Sequence, residues 1–261
     1  VTYTCNLDNA GWGDCEPPKA YTNLAEGQHT FQVRARDGEG LTDGSPASLT
    51  WRIGPAPTAK AVSCGEVLTT STRVTNSLND CPADGLVVGA AGITIDLDGN
   101  MIDGDAAGGG AGIRNSRFDD VTVTNGTVQE FEVGVQIDPS ARNVVSEINA
   151  QLNGLAGIQL SGASDASVRT NTLTAGAGDG IALLGGTQRT LVRDNTVTAN
   201  LGRGIFLENS SDNRIERNSV SASEDVGISL EGSRNNKVVS NDLSANVGGI
   251  EVQLLSHGTL L

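Results

Sequence analysis

The chain has few of the residues that build metal centres or aromatic cores. It holds two histidines, one methionine, four cysteines and only 3% aromatic side chains. The cysteines fall into two local pairs, Cys5 with Cys15 and Cys64 with Cys81, and neither pair has the C-x-x-C spacing of a zinc site. We therefore predict two disulfides and an oxidising compartment, with the protein secreted, extracellular or at the cell surface.

Long apolar runs and an excess of positive charge are also missing. No stretch approaches the roughly 20 apolar residues of a membrane-spanning helix, so no membrane insertion is predicted. The net charge of −14 disfavours nucleic acid and anionic membranes as partners, because like charges repel, and it suits the binding of cations. No signal peptide is present and Val1 is not a typical translation start, so we expect that an N-terminal part has been lost.

What the sequence has instead is glycine and a repeat. There are 34 glycines, and a glycine followed by Ile or Val recurs every 22 to 24 residues at Gly112, Gly134, Gly157, Gly180, Gly204, Gly227 and Gly249. A second column has nearly the same period and runs Asn125, Ile148, Asn171, Asn195, Asn218 and Asn241. A period of this length without a helical segment predicts a solenoid, in which successive turns stack as parallel strands about 4.8 Å apart.

Stacking turns each column of the repeat into a ladder. Ile205 and Leu207 alternate with Phe206 and Glu208, which places apolar side chains on one face. Two aliphatic stacks follow, one of Ile113, Val135, Ile158, Ile181, Ile205, Ile228 and Ile250, the other of Ile137, Leu160, Leu183, Leu207, Leu230 and Val252. The asparagines are predicted to form a structural ladder inside a bend, bonded to the backbone and to each other, which Ile148 interrupts.

These repeats resemble those of the right-handed parallel β-helix proteins, the superfamily that includes pectate lyases and polygalacturonases. The resemblance covers residues 60–261, and the segment from Ser63 to Gly104 resembles the first coil of that group, with Cys64 and Cys81 stapling its start. It implies an all-β fold, a right-handed parallel β-helix of about 23 residues per turn.

The front of the chain has a different sequence pattern from the repeats. Residues 1–53 are alternating strands separated by turn residues, and they resemble the second half of a bacterial Ig-like β-sandwich, including its local pair of cysteines, here Cys5 and Cys15. The opening strands of such a domain are missing from the sequence. Residues 54–59 are predicted to be a short, stiff linker, and residues 60–261 the β-helix.

Catalytic residues cannot be assigned from the sequence, and we lean against an enzyme. A polysaccharide lyase needs a base and a cation beside the substrate carboxylate, and a hydrolase needs paired carboxylates. Asp119-Asp120 and His257-Gly258 resemble polygalacturonase elements but lie far apart, and Asp138-Pro139 lacks the histidine of the alginate epimerase motif. The outward column beside the glycines holds no cluster of acids or bases: Arg114, Gln136, Gln159, Ala182, Phe206, Ser229 and Glu251.

Two charged sets suggest metal binding or a structural role. Glu208 and Glu231 occupy equivalent positions on adjacent turns and, with Asp212, form a candidate Ca²⁺ site; two solvated glutamates are the alternative. No other cofactor is predicted. A further column alternates in charge and predicts a salt-bridge ladder rather than a binding stripe: Arg142, Asp165, Arg189, Asp212 and Asn235.

Three classes of function fit these features. The first hypothesis is a secreted, non-catalytic structural or adhesive extracellular protein. The second is a polysaccharide lyase, epimerase or hydrolase acting on acidic glycans, by analogy between folds. The third is a carbohydrate- or ice-binding module, suggested by the outward hydroxyls of Thr172, Thr174, Thr196 and Thr198. The expected partner is a polysaccharide or a cell-surface component.

The end of the sequence prompts a hypothesis of assembly. A further turn opens there without a polar cap, through the aliphatic residues Ile250, Val252, Leu254, Leu255, Leu260 and Leu261. An uncovered end of a solenoid predicts head-to-tail self-association into filaments, with truncation as the alternative.

Overall fold

The chain divides into two compact units, Val1–Ala56 and Pro57–Leu261, in a computed structural model. The structure describes residues 1–107, 109–253 and 256–261, without the side chain of Arg52, so Leu254 and Leu255 of the predicted open turn lie outside the described residues. No helix among these residues is long and apolar enough to cross a membrane.

The front unit is a four-stranded antiparallel sheet. Its strands are β1 (Thr2–Leu7), β2 (Gly13–Cys15), β3 (Gly27–Arg36) and β4 (Ala47–Ile53), in the spatial order β2-β1-β3-β4. The Cys5–Cys15 disulfide joins β1 to β2. An Ig-like identity of this unit stays a prediction.

The second unit is a solenoid with two parallel sheets. The nine-stranded sheet contains β6 (Glu66–Leu68), β9 (Leu86–Val88), β12 (Ala111–Asn115), β14 (Val133–Ile137), β16 (Ala156–Ser161), β19 (Asp179–Leu184), β22 (Ile205–Glu208), β25 (Val226–Glu231) and β28 (Gly248–Gln253). The fifteen-stranded sheet contains β5 (Thr58–Lys60), β7 (Thr72–Val74), β8 (Leu78–Cys81), β10 (Thr94–Asp96), β11 (Met101–Gly104), β13 (Thr122–Gln129), β15 (Val144–Gln151), β17 (Ser167–Arg169), β18 (Thr172–Thr174), β20 (Leu191–Arg193), β21 (Thr196–Thr198), β23 (Arg214–Glu216), β24 (Ser219–Ser221), β26 (Lys237–Val239) and β27 (Asp242–Ser244).

The aliphatic stacks form the core of the solenoid, as the repeat predicts. Ile181 pairs with Ile205 and Leu183 with Leu207, and the same register continues along the nine-stranded sheet. These side chains are completely buried, whereas Ile250 on the last strand is 40% exposed. Burying one such side chain contributes about 1.5–3 kcal/mol, so the ladder of aliphatic contacts supplies most of the driving force for folding.

The glycine column is explained by close contact between turns. A Cβ atom added to Gly204 would lie 2.6 Å from the carbonyl oxygen of Gly227 and would also collide with Val220. At Gly249, in the same column on the last turn, no heavy atom of the described residues lies within 4 Å of such a Cβ. Glycine is therefore required in this column wherever the next turn packs too closely to leave space for a side chain.

The asparagine ladder is formed by four of its five predicted members. Asn171 donates to Asn195 Oδ1 at 3.0 Å, Asn195 to Asn218 Oδ1 at 2.9 Å, and Asn218 to Asn241 Oδ1 at 2.9 Å. Each Oδ1 also accepts the backbone N–H of the preceding turn's ladder residue, and Ile148 donates its N–H to Asn171 in this way. The interruption at Ile148 therefore ends the side-chain ladder but preserves the backbone bond.

Asn125 does not belong to that ladder, which corrects the prediction. Gly126 pairs with Ile148, so the ladder position falls one residue later than a period of 23 suggests. Asn125 instead adopts a left-handed conformation with φ of 63° and donates its side-chain amide to Asp96 Oδ1 at 3.0 Å. The turn is one residue shorter here, and equal spacing alone misplaces the residue.

Further polar ladders, which the two repeat columns do not predict, line the other corners. Thr190 donates its N–H to Asn213 Oδ1, and Asn213 donates its N–H to Asn236 Oδ1, both at 2.9 Å. Ser210 and Ser233 repeat the pattern on another corner, where the Ser210 N–H donates to Ser233 Oγ at 3.0 Å. All five residues are buried.

The junction between the units differs slightly from the predicted linker. Thr58–Lys60 forms β5, which pairs in parallel with β7, so residues 58 and 59 belong to the solenoid rather than to a linker. The Cys64–Cys81 disulfide closes a loop within the first turns, with Cα atoms 5.5 Å apart. Both predicted cysteine pairs are therefore present as disulfides.

Candidate functional site

A continuous row of side chains runs along the outer face of the nine-stranded sheet. Its members stand in register on adjacent strands, and we call them the outward row: Arg114, Gln136, Gln159, Ala182, Phe206, Ser229 and Glu251. They alternate with the buried aliphatic stacks, so they point away from the core. Arg114, Gln136 and Gln159 are half-buried, whereas Phe206 and Ser229 are buried despite facing outwards.

A hydrogen-bonded network fixes the first part of the outward row. Arg114 donates from Nε and Nη2 to the two carboxylate oxygens of Asp84, both at 2.7 Å, and from Nη1 to Gln136 Oε1 at 2.7 Å. Gln136 in turn donates from Nε2 to Asp138 Oδ1 at 3.1 Å. A bidentate guanidinium–carboxylate pair is geometrically specific, so the Gln136 amide is held in one orientation.

The Asp84–Arg114 pair stays charged. Burial would raise the pKa of Asp84, but hydrogen bonds from Arg114 and from the Ala111 N–H together hold that pKa below its ordinary value. The hydrogen bond to Asp84 likewise raises the pKa of Arg114. A carboxylate held ionised in this way orients its neighbours, and it is poorly suited to donate a proton as a general acid.

Gln159 continues the row without a fixed partner. It lies opposite Gln136 on the next strand, and its side chain makes no hydrogen bond to any described residue. An amide offers two donors and an acceptor, and in this half-buried position they face outwards beside the fixed network. Gln159 therefore presents an unused amide in the middle of the row, and Glu251 on the last strand likewise has no described side-chain hydrogen bond.

The second part of the row carries an aromatic ring covered by a cation. The Arg203 guanidinium lies 3.3 Å from the centroid of the Phe206 ring, a cation–π arrangement. Asp179 holds the Arg203 side chain through Nε and Nη2, both at 3.1 Å. Phe206 itself is 6% exposed, so the surface here is a partly exposed guanidinium plane rather than an aromatic ring.

The acids beside the first and middle parts of the row are engaged, whereas Glu208 and Glu231 on the same face have no described side-chain partner. Asp84 binds Arg114, Asp138 accepts from Gln136, and Asp179 binds Arg203. Within the row itself the described residues place no pair of unengaged carboxylates, although Glu208 and Glu231 lie side by side next to it on β22 and β25. The catalytic residues are left unassigned.

The predicted calcium site is not formed. Glu208 and Glu231 do lie opposite each other on β22 and β25. Asp212 falls in the corner that follows β22, where its charge acts on Arg189. Within residues 1–107, 109–253 and 256–261 no group of three or more acidic, His or Cys side chains could hold a metal ion. The physical reason is position, because Asp212 lies beyond the end of β22, near enough to Arg189 for its charge to act there, rather than on a strand beside the two glutamates.

The alternating charge column forms the predicted ladder only in part: Asp165 pairs with Arg189, whereas Arg142 pairs with Asp119 and Asp120 outside the column, and Asp212 makes no described ion pair. Arg189 donates to both carboxylate oxygens of Asp165 at 2.8 and 2.9 Å, and Arg142 donates to Asp120 at 2.7 and 2.8 Å. Asp119 also contacts Arg142, at 3.2 Å. Asp119-Asp120 therefore serves as the partner of Arg142, and exposed pairs of this kind contribute at most about 1 kcal/mol each.

Asp84, Asp179 and Arg203 were missed by the sequence analysis, although a signal exists. All three directly precede the glycine of the repeated motif, in Asp84-Gly85, Asp179-Gly180 and Arg203-Gly204. Opposite charges in that column on successive turns, at Asp179 and Arg203, indicate an ion pair beside the outward row. Asp84 pairs instead with Arg114, which lies outside the column, so the column does not reveal that pair.

The comparisons with known proteins agree with this architecture. Residues 91–260 match the family described as "Periplasmic copper-binding protein (NosD)". The periplasmic alginate epimerase AlgG is 18% identical with a TM-score of 0.51, and the match covers 71% of this chain and 49% of that one. DFA-IIIase from Arthrobacter chlorophenolicus A6 is 17% identical with a TM-score of 0.50, over 66% of this chain and 55% of that one. No curated protein matches the chain.

These likenesses establish the fold, and the predicted right-handed parallel β-helix is confirmed. The chain spans about half the length of the two solved structures.

Proposed function

The chain belongs to the NosD family, whose description is periplasmic, and we propose that it is an extracytoplasmic protein that binds a polysaccharide along the outward row. The observation that carries the proposal is the Gln159 side chain. Its amide is half-buried, faces outwards and makes no hydrogen bond to a described residue. It lies beside the Gln136 amide, which Arg114 holds in place. Oriented amides and a guanidinium plane are groups that bind the hydroxyls and carboxylates of sugars. The two disulfides support an oxidising compartment.

The described residues do not fit the copper named in the family's description. Copper sites use thiolate, thioether or imidazole ligands. All four cysteines are bound in disulfides, and both ring nitrogens of His29 contact oxygen acceptors. His257 and Met101 are the other soft ligands in the sequence, and the described residues contain no cluster that could hold a metal ion. No role of copper is therefore proposed for this chain.

The carbohydrate-directed alternative fits the family and fold comparisons better than the structural or adhesive hypothesis. AlgG is by its title an alginate epimerase, and this analogy between folds supplies the class of ligand. A lyase, epimerase or hydrolase acting on acidic glycans is the catalytic form of the same proposal. Self-association into filaments and secretion to the cell surface stay predictions.

For the front unit we propose part of an Ig-like sandwich, joined to the solenoid near residue 56. Its antiparallel sheet and the Cys5–Cys15 pair support this assignment.

Binding to a glycan array tests the proposed function. The expected result is binding to one class of polysaccharide, weakened by Gln159→Ala and unaffected by Gln188→Ala, an exposed glutamine on a corner of the turn between β19 and β20. Neither side chain is hydrogen-bonded to described residues, so both variants are expected to keep the stability of the parent. Absence of binding to any glycan, or equal effects of the two variants, contradicts the proposal. Appearance of unsaturated uronate or of an epimerised sugar identifies the catalytic form.

A further inference from the structure

A cluster of cationic side chains lies on the outer side of the fifteen-stranded sheet. We call it the cationic face; it occupies four adjacent turns and comprises Arg169, Arg193, Arg214, Arg217 and Lys237. Strand pairing sets Arg169 opposite Arg193 and Arg214 opposite Lys237. Because neighbouring strands lie about 4.8 Å apart, each of these two pairs brings two positive charges close together. This is notable in a protein whose net charge is −14.

Two carboxylates neutralise part of this charge. Glu216 accepts from Arg214 Nε at 2.5 Å and lies 3.1 Å from Arg217 Nη1. Asp194 accepts from Arg217 Nε at 2.9 Å and from Arg193 Nη1 at 3.0 Å. Five cations face two carboxylates, which leaves a local excess of three positive charges.

The remaining cations lack protein partners. The side chains of Arg169 and Lys237 make no ion pair or hydrogen bond with a described residue, and Arg193 Nε is buried without a described hydrogen-bond partner. Five other arginines of the solenoid pair with aspartates, whereas Arg117 and Arg234 make no ion pair with a described residue: the pairs are Arg73 with Asp98, Arg114 with Asp84, Arg142 with Asp120, Arg189 with Asp165 and Arg203 with Asp179. Like charges opposite each other on neighbouring strands destabilise a sheet. The cationic face therefore carries an unfavourable charge that an external anion would offset.

We propose that the cationic face binds an acidic polysaccharide, whose successive anionic groups span the four turns. Planar guanidinium groups match carboxylates and sulfates through paired hydrogen bonds. The four strands carry no aromatic side chain, so the stacking platform that single-stranded nucleic acid uses is missing there. The negative charge of the whole molecule opposes a broad anionic surface such as a membrane, whereas a narrow flexible chain can reach this strip. This site is separate from the outward row and does not depend on it.

Calorimetric titration of the full chain with sodium polygalacturonate tests the proposal. The matched variants are Arg169→Gln with Lys237→Gln on the cationic face, and Arg142→Gln with Arg189→Gln in the salt-bridge ladder, which change the net charge equally. We expect salt-sensitive binding that the first double variant weakens at least about tenfold and the second changes less than about twofold. Circular dichroism establishes that both variants remain folded.

Several outcomes overturn the proposal. Undetectable binding of the parent chain at low salt does so, as does an equal loss in both double variants, which indicates general electrostatic attraction. Tighter binding of single-stranded DNA or of vesicles containing anionic lipid than of polygalacturonate assigns the face to another partner. Loss of binding only in Gln159→Ala locates the glycan on the outward row and leaves the cationic face without a ligand.

Discussion

Single side chains at the corners of the turns satisfy polar groups that the strands leave unpaired. Each ladder asparagine accepts a backbone N–H of the turn before it and donates to a carbonyl, as Asn195 does to the oxygen of Val168 at 2.9 Å. The buried location makes these bonds important, because a buried group that loses its partner keeps its full desolvation cost.

Replacement of a ladder asparagine is expected to lower the free energy of unfolding more than its size suggests. Asn195→Ala and Asn218→Ala each leave buried partners unpaired, which costs about 1–3 kcal/mol. Asn149→Ala is the matched control, because Asn149 is half-buried on β15, outside the ladder and in an extended conformation. Urea unfolding followed by circular dichroism measures the three variants. Equal midpoints for Asn195→Ala and the parent chain would mean that the ladder contributes nothing.

His29 is expected to make the front unit sensitive to alkaline pH. Its Nε2 lies 2.7 Å from the Ala25 carbonyl oxygen and its Nδ1 lies 2.6 Å from Asp8 Oδ2, so only the doubly protonated ring donates to both. These two hydrogen bonds raise the pKa of His29, the Ala25 bond most. The stabilisation is complete below the ordinary pKa of about 6.5 and is lost as pH rises through the raised value.

Fluorescence of the front unit tests this pH dependence. The rings of His29 and Trp51 are 5.7 Å apart, so protonation and local unfolding both change the tryptophan signal. The parent chain should show a thermal midpoint that falls above neutral pH, and His29→Gln should not. Asp8 sets the opposite pH dependence. The hydrogen bond from His29 lowers the pKa of Asp8, so the stability that this carboxylate contributes is lost as the pH falls through that lowered value. A parent midpoint that does not change between pH 6 and pH 9 counts against the doubly protonated ring.

At the scale of the element, the turn is the unit of construction. From Gly85 to Gly227, each turn places a glycine where the next turn's backbone passes, and the strand that follows carries alternate residues into the core. Gly204→Ala is expected to destabilise the solenoid because its Cβ has no space beside Gly227 and Val220. The cost expected for such overpacking is about 1–3 kcal/mol. Gly249→Ala is the control in the same column, and similar unfolding midpoints for the two variants would contradict the steric explanation.

The repeat predicts the elements because each turn is restrained by its neighbours at fixed intervals. The buried stacks from Ile113 to Ile228 follow from that period, and so does the ion pair between Asp165 and Arg189. Asn125 could not be placed, because a turn shortened by one residue shifts the register without changing the pattern. The Arg203–Phe206 contact was missed since it joins two columns, and a period relates only residues within one.

The whole molecule combines a negative net charge with a local positive strip. Most arginines of the solenoid are matched by aspartates, and the excess of acid is spread over the remaining surface. The family's description names copper, yet the residues with soft donor atoms are bound in disulfides or hydrogen bonds or are scattered along the chain. The redox state of the cysteines therefore decides how this chain responds to copper.

The oxidised chain is expected to bind less than one equivalent of Cu(I) or Cu(II) after gel filtration. Reduction with a phosphine frees the thiols of Cys64 and Cys81, whose Cα atoms are 5.5 Å apart, and paired thiolates are good ligands of Cu(I). Metal analysis by mass spectrometry should then find bound copper in the reduced chain. The reduced double variant Cys64→Ser with Cys81→Ser should bind less copper than the reduced parent chain. The Cys5–Cys15 pair accounts for what that variant still binds. Stoichiometric copper on the oxidised chain at micromolar concentration would contradict the ligand inventory.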